Sequence, residues 1–273
     1  MVDMKSLFEA ERARRIEAKR ATAAAEETSS SNADEIRAAP APCDLSPRTP
    51  LRLADHAVGA DRGVAGLHYV PDFLSADEEA AVLRGVYAPD AASRWVASGQ
   101  RRVQNWGGRP SELDVAEPLP PFAAALARAV SDAGVVAEGA APNHVLVNEY
   151  RRPAGITPHN DGDIYNPRVA IVTLSGGALI DFWAREGPAS ETDDEDARRP
   201  DAPSPRAQVY LRPRSLLLYE GDAYALRHGI REASVDRITP LCVNAAVAGV
   251  KVGDEVERGE TRVSVVFVRK ERR

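Results

Sequence analysis

The sequence holds only two cysteines, Cys43 and Cys242, among 273 residues. Two thiols build neither a disulfide framework nor a four-cysteine zinc site, so a reducing compartment, cytosol or nucleus, is expected. No apolar run is long enough to span a bilayer, and no membrane partner is expected. The N-terminal stretch lacks the apolar segment of a secretory signal. Positive charge is not in excess either: 35 Lys and Arg stand against 41 Asp and Glu, a formal net charge of -6. That excludes a polycation that coats nucleic acid through charge alone. No coiled-coil heptad is present, and a monomer is expected. Hydrophobic residues make up 44% of the chain, enough to core one large domain or two small ones.

Residues 1–64 contain one aromatic, Phe8, and are rich in Ala, Glu, Ser and Arg. They read as a disordered, partly helical tail. Residues 7–27 can form a charged helix without a sustained apolar stripe, and 28–50 read as linker. The domain is expected over 65–273, with order beginning near Gly66. In LHYVPDFLSADEEAAVLRGVY a short strand and a proline turn lead into a helix. Ser75 is its expected N-cap, and Glu78 completes a capping box. A second helix is expected over 121–133. From His144 onward the runs HVLVNEY, RVAIVTLSGGALIDFW, QVYLRPRSLLLYEG and TRVSVVFVRK are strand-like and bounded by Gly, Pro or Asn. Helices followed by many strands indicate an α+β fold, a sheet sandwich or jelly roll backed by helices. Residues 184–206 interrupt the strands with acids and prolines. The acidic run at 193–196 reads as a solvated, disordered insertion, because four adjacent carboxylates cannot surround one ion.

Two of the five histidines have informative surroundings. In PHNDG, His159 and Asp161 are two residues apart, and on a strand such residues share a face. In LRHGI, His228 follows the strand SLLLYEG and can reach the same place from a neighbouring strand end. Two imidazoles and one carboxylate on one side of an ion leave three positions open, the facial triad of non-haem Fe(II) oxygenases. Each histidine taken alone has a plainer reading as a hydrogen-bonded loop residue. Arg262 begins the strand TRVSVVFV, with Ser264 on its face. A guanidinium on a buried strand face is costly unless it meets an anion, and its fork fits a carboxylate. A co-substrate that chelates iron and carries a distal carboxylate, 2-oxoglutarate, fits both ends. Asn148 and Tyr150 in HVLVNEY share a face and can hold the same molecule.

These residues resemble the AlkB family of Fe(II)/2-oxoglutarate-dependent dioxygenases, in the branch of AlkB homologue six. The matching stretches are VPDFLS, RRVQNWGG, LPPF, PNHVLVNEY, GITPHNDG, IDFW, PRSLLLYEGDAY, HGI and TRVSV, across roughly residues 68–273. The resemblance implies a double-stranded β-helix (jelly-roll) core with N-terminal lid strands. It implies His159, Asp161 and His228 as catalytic iron ligands, and Arg262 on the distal carboxylate of 2-oxoglutarate. Asn148, Tyr150 and Ser264 are implied as further co-substrate contacts, with O₂ as the second co-substrate. The family's second Arg, six residues after the first, is replaced here by Val268. Arg269 follows it and faces the other side by alternation, unless a bulge re-aims it.

Relatives in that family act mostly on alkylated bases in RNA or single-stranded DNA, so a nucleic-acid demethylase is the implied function. An oxygenase acting on protein or a small molecule, and a weakly active binding module, are the alternatives. RRVQNWGGR interleaves Arg101, Arg102 and Arg109 with Trp106, as a stacking and phosphate-binding loop would. Arg101, Arg102, Trp106 and Arg269 are therefore the expected substrate contacts. The plainer reading makes Trp106 a packed aromatic and the arginines solvated.

Overall fold

The computed structural model describes residues 43–108, 117–136, 139, 141–184 and 204–271. The expected helix over 7–27, most of the expected linker, Arg109 and nearly all of the 184–206 insertion lie outside the described residues. The strands in chain order are β1 (Ala57–Val58), β2 (Leu67–Val70), β3 (Val96–Ser98), β4 (Arg101–Trp106), β5 (His144–Arg151), β6 (Ile156–His159) and β7 (Arg168–Ser175). They continue as β8 (Ala178–Trp183), β9 (Ala207–Leu211), β10 (Leu216–Glu220), β11 (Arg227–Ile230), β12 (Val235–Arg237), β13 (Glu255–Glu257) and β14 (Thr261–Val268). The helices are α1 (Ala76–Val86), α2 (Pro89–Ala92), α3 (Pro121–Asp132) and α4 (Gly221–Tyr224).

The strands from β5 to β11, together with β14, wind between two antiparallel sheets. The large sheet contains the order β10-β7-β14-β5, and the small sheet is β6-β11-β8-β9. This is the double-stranded β-helix expected of the α+β chain. The N-terminal strands extend the large sheet at both edges, β1 and β2 beside β10, β4 and β3 beside β5.

Alternation along the strands sorts the side chains into two cores. On β14, Val263, Val265 and Phe267 join Val82 and Val86 of α1 and Phe122, Leu126 and Val130 of α3 on the outer face of the large sheet. Between the sheets, Val169, Ile171, Leu217 and Tyr219 meet Ile180, Phe182, Val209 and Leu211. Arg262, Ser264 and Val268 share that inner side of β14. Helix α1 begins as expected: Ser75 Oγ accepts from the Glu78 N–H, and Glu78 Oε2 accepts from the Ser75 N–H.

Two expectations are corrected here. Residues 43–64 are not tail. Cys43 is buried, Leu51 N–H bonds Ala133 O at 2.9 Å, and β1 pairs with β2. The Arg48 guanidinium reaches Glu78 at 2.8 Å, and Leu45, Leu51 and Leu53 pack on the outer core. A buried ion pair and three leucines anchor a segment whose composition reads as linker. The stretch RRVQNW is not a loop but strand β4, paired with β5 over Arg101–Tyr150 to Trp106–Val145. Among the described residues no helix is long and apolar enough to cross a membrane.

Candidate metal centre

Strand pairing brings the two separated histidine motifs together. His159 ends β6, His228 lies on β11, and the two are register partners with ring centroids 4.5 Å apart. Asp161 lies just beyond the end of β6. One ligand atom from each of the three falls within 4.8 Å of the others. His228 Nε2 stands 3.8 Å from Asp161 Oδ1. The His159 Nδ1–H donates to Thr157 O at 2.8 Å, which leaves Nε2 as the coordinating atom. His228 is 5% exposed, and burial holds its imidazole down to about 4 against the pull of Asp161. It is therefore neutral near pH 7, the form a metal ligand requires.

Gly229 makes the approach of the two strands feasible. A Cβ there would meet Ile156 O at 2.7 Å and Pro158 N at 3.0 Å. The register of β11 on β6 also shifts between His228 and Ile230, a bulge that aims His228.

The residues expected to hold the co-substrate lie on the same inner side. Arg262 is 6% exposed, with its guanidinium 5.5 Å from the Tyr150 ring. It donates to Ser264 Oγ at 3.0 Å and to Thr173 Oγ1 at 3.4 Å, while its Nε has no partner. Among the described residues it makes no ion pair. The neighbouring Asp236 is taken by Arg258, whose Nε and Nη2 donate to its carboxylate at 2.8 and 2.6 Å. Burial pushes Arg262 down to about 10, so it stays charged at neutral pH. A buried fork with hydroxyls beside it and no carboxylate is a site built for one. Asn148 faces the same interior, its Oδ1 accepting from Arg101 Nε at 2.9 Å. The donor set thus fits Fe(II) at one end and the distal carboxylate of 2-oxoglutarate at the other.

Of the expected substrate contacts only Arg101 reaches this site, with its guanidinium on Asn148 and 6.0 Å from the Tyr150 ring. Trp106 is 8% exposed, edge-on to Phe122 and under the Arg94 guanidinium, with its indole N–H on Gln104 Oε1. Arg102 lies on the same outer face and donates twice to the buried Glu149, at 2.6 and 2.8 Å. Trp106 is committed to the helix-facing core and Arg102 to Glu149 at its rim, because β4 alternates and Arg101, Val103 and Asn105 turn inward. Arg269 also turns away. The β14–β5 register runs unbroken to Val268–His144, so no bulge re-aims it there. It donates to Ala141 O at 2.9 Å and pairs with Glu271 at 3.3 Å. Val268 is buried between the sheets.

Two residues at the site escaped the sequence reading. Thr173 is one, a polar residue inside an apolar run. Tyr219 is the other: 1% exposed, its O–H donates to Asp161 Oδ2 at 2.6 Å and lies 3.4 Å from His228 Nε2. Burial, with Asp161 beside it, pushes its phenol well up, so it remains a donor. The available signal was its position: it is a polar-tipped aromatic ending the strand that leads to His228.

Comparison with known proteins gives a consistent result. The family model described as the 2OG-Fe(II) oxygenase superfamily matches residues 88–267. The "Probable RNA/DNA demethylase ALKBH6" of Danio rerio is 37% identical over 209 residues, 74% of this chain and 84% of that protein. The "Alkylated DNA repair protein ALKBH8 homolog" of Arabidopsis thaliana is 27% identical over 218 residues, 73% of this chain and 59% of that protein. Among solved structures, OsALKBH1 aligns with a TM-score of 0.46 at 16% identity, covering 75% of this chain and 98% of that one. The matched span runs from α2 to Phe267 of β14, and the chain belongs to the 2OG-Fe(II) oxygenase superfamily, on its AlkB side, as an oxidoreductase that uses Fe(II), 2-oxoglutarate and O₂.

Proposed function

We propose that the protein oxidatively demethylates alkylated nucleic acid, RNA or single-stranded DNA. The observation that carries the chemistry is the buried Arg262, without an ion pair among the described residues, on the inner side of the barrel that also holds His159, Asp161 and His228. The substrate class follows from the relative whose name is "Probable RNA/DNA demethylase ALKBH6", similar over most of both chains.

In this reading His159 Nε2, Asp161 Oδ1 and His228 Nε2 hold Fe(II). When bound, Fe(II) and 2-oxoglutarate supply the oxidation: O₂ and 2-oxoglutarate give succinate, CO₂ and one oxygen atom inserted into a substrate C–H bond. Arg262 receives the distal carboxylate, with Ser264 and Thr173 fixing the plane of its fork. Tyr150 packs against the guanidinium, and Arg101 orients the Asn148 amide. A hydroxylated N-methyl group then breaks down to formaldehyde and the free amine.

The test measures formaldehyde and succinate from methylated single-stranded RNA and DNA. Formaldehyde released only with a methylated oligonucleotide, with succinate release stimulated by the same oligonucleotide, is the expected result. Succinate release that no oligonucleotide stimulates contradicts the substrate class. A protein or small-molecule substrate is the second reading. It is favoured by the burial of Trp106 in the core and the pairing of Arg102 with Glu149 on the outer face, which turns two expected nucleic-acid contacts away from the site.

A further inference from the structure

The third ligand, Asp161, does not sit on a strand, so something other than the sheet must hold it. Four contacts reach Asp161 and the residues around it from one segment, which runs from Tyr219 near the end of β10 to Arg227 at the start of β11. Tyr219 O–H donates to Asp161 Oδ2 at 2.6 Å. Tyr224 O–H donates to Gly162 O at 2.9 Å. Asn160 Nδ2 donates to Leu226 O at 3.1 Å, and Arg227 Nη2 donates to Pro158 O at 3.0 Å. The rings of Tyr219 and Tyr224 stack at 6.4 Å and 25°. The same segment ends in His228.

We propose that Tyr219 and Tyr224 form a positioning clamp that makes Asp161 a one-oxygen ligand and couples its loop to His228. This rests on the iron-ligand reading of the same site. Asp161 offers two oxygens with different neighbours. Oδ1 faces His228 Nε2 at 3.8 Å, toward the place the ion would take, whereas Oδ2 is engaged by the Tyr219 hydroxyl. An oxygen that already accepts from the Tyr219 hydroxyl is a poorer second donor to the ion, which favours binding through Oδ1 alone and keeps three coordination positions open. Tyr224, partly exposed, holds the loop's next residue through its backbone. Neither tyrosine is assigned as a ligand, although the Tyr219 hydroxyl also lies 3.4 Å from His228 Nε2. Both act through the ligand loop, and no coordinating atom is theirs.

The test uses Co(II) alone under argon with the full chain, so that no turnover is involved. Wild type is expected to bind Co(II), and His159→Ala to lose most of that affinity. Tyr219→Phe keeps the ring and removes the hydroxyl. It is expected to weaken Co(II) binding about tenfold or more, as loss of a partner to a ligating carboxylate does elsewhere. Its visible Co(II) absorption should also change in intensity as Asp161 becomes free to use both oxygens. Tyr224→Phe, altered only at a partly exposed hydroxyl, should weaken binding by a smaller factor, roughly twofold to fivefold. A Co(II) affinity and spectrum in Tyr219→Phe equal to wild type overturns the clamp while leaving the ligand assignment standing. Should Tyr219→Phe not fold, an unchanged affinity in Tyr224→Phe overturns it. Co(II) binding untouched by His159→Ala overturns the ligand assignment itself, and the clamp with it.

Discussion

Arg262 carries its charge into the barrel interior without an ion pair among the described residues, and that single fact has two opposite consequences. Arg262→Met removes the anchor of the co-substrate carboxylate. The KM for 2-oxoglutarate is expected to rise about 10- to 150-fold, the range for a lost charged hydrogen bond. The same change removes an uncompensated buried charge, so the thermal midpoint of the unliganded protein should hold or rise. Kinetics and a melting curve check both, and an unchanged KM contradicts the anchor role. Trp106 behaves in the reverse way. Its indole N–H bonds Gln104 and its ring lies under Arg94, so Trp106→Phe should cost about 1–2 kcal/mol of stability. Oligonucleotide affinity in a salt-controlled titration should be unchanged. The burial of Arg262 and Ser264 on one face was legible because polar groups on an apolar strand stand out in sequence. Trp106 was misread because an interleaved Arg–aromatic pattern looks the same on a stacking loop and on a strand whose alternate face is buried.

At the scale of elements, the capping residue of α1 also anchors the segment that precedes the sheet. Glu78 caps its own helix, accepts from the Ser46 N–H at 2.9 Å, and pairs with Arg48. Burial pushes its carboxyl up, but Arg48 and the N–H groups of Ser75 and Ser46 outweigh it and hold it at about 2, against an ordinary 4.5. A lowered acid pKa contributes stability that is full above the unfolded value and is lost as pH falls through the folded one. The contribution of Glu78 is therefore present at neutral pH and disappears between about 4.5 and 2. Glu78→Gln is expected to cost roughly 1–3 kcal/mol at pH 7, and the gap from wild type should close over that window. Thermal melts of both proteins across pH read this, and a pH-independent gap contradicts it. The helix start was legible because Ser75 and Glu78 stand at capping-box spacing. Residues 43–64 were not, because Arg48 meets Glu78 thirty positions later, and local composition does not report a contact at that distance.

For the whole molecule, the winding of the chain does the assembling. Each sheet alone holds half of the site: β5, β7 and β14 of the large sheet bring Asn148, Tyr150, Thr173 and Arg262, and β6 and β11 of the small sheet bring His159 and His228. Only crossing repeatedly between sheets puts residues over a hundred positions apart on the facing inner sides of the two sheets. The fold class was readable from the succession of helices and strands, and the ligand triad from two short motifs. The clamp on Asp161 was not, since it depends on how the stretch from Tyr219 to Tyr224 lies on the loop after β6. The central claim is that this interior is an Fe(II)/2-oxoglutarate site that oxidises methylated nucleic acid. The most direct measurement is succinate release from 2-oxoglutarate with Fe(II) and ascorbate, for wild type and His159→Ala, with and without methylated single-stranded RNA or DNA. The account expects release by wild type, stimulation by one methylated oligonucleotide class, and none from His159→Ala. Absence of release from wild-type protein shown to bind iron, or equal release from His159→Ala, would contradict it.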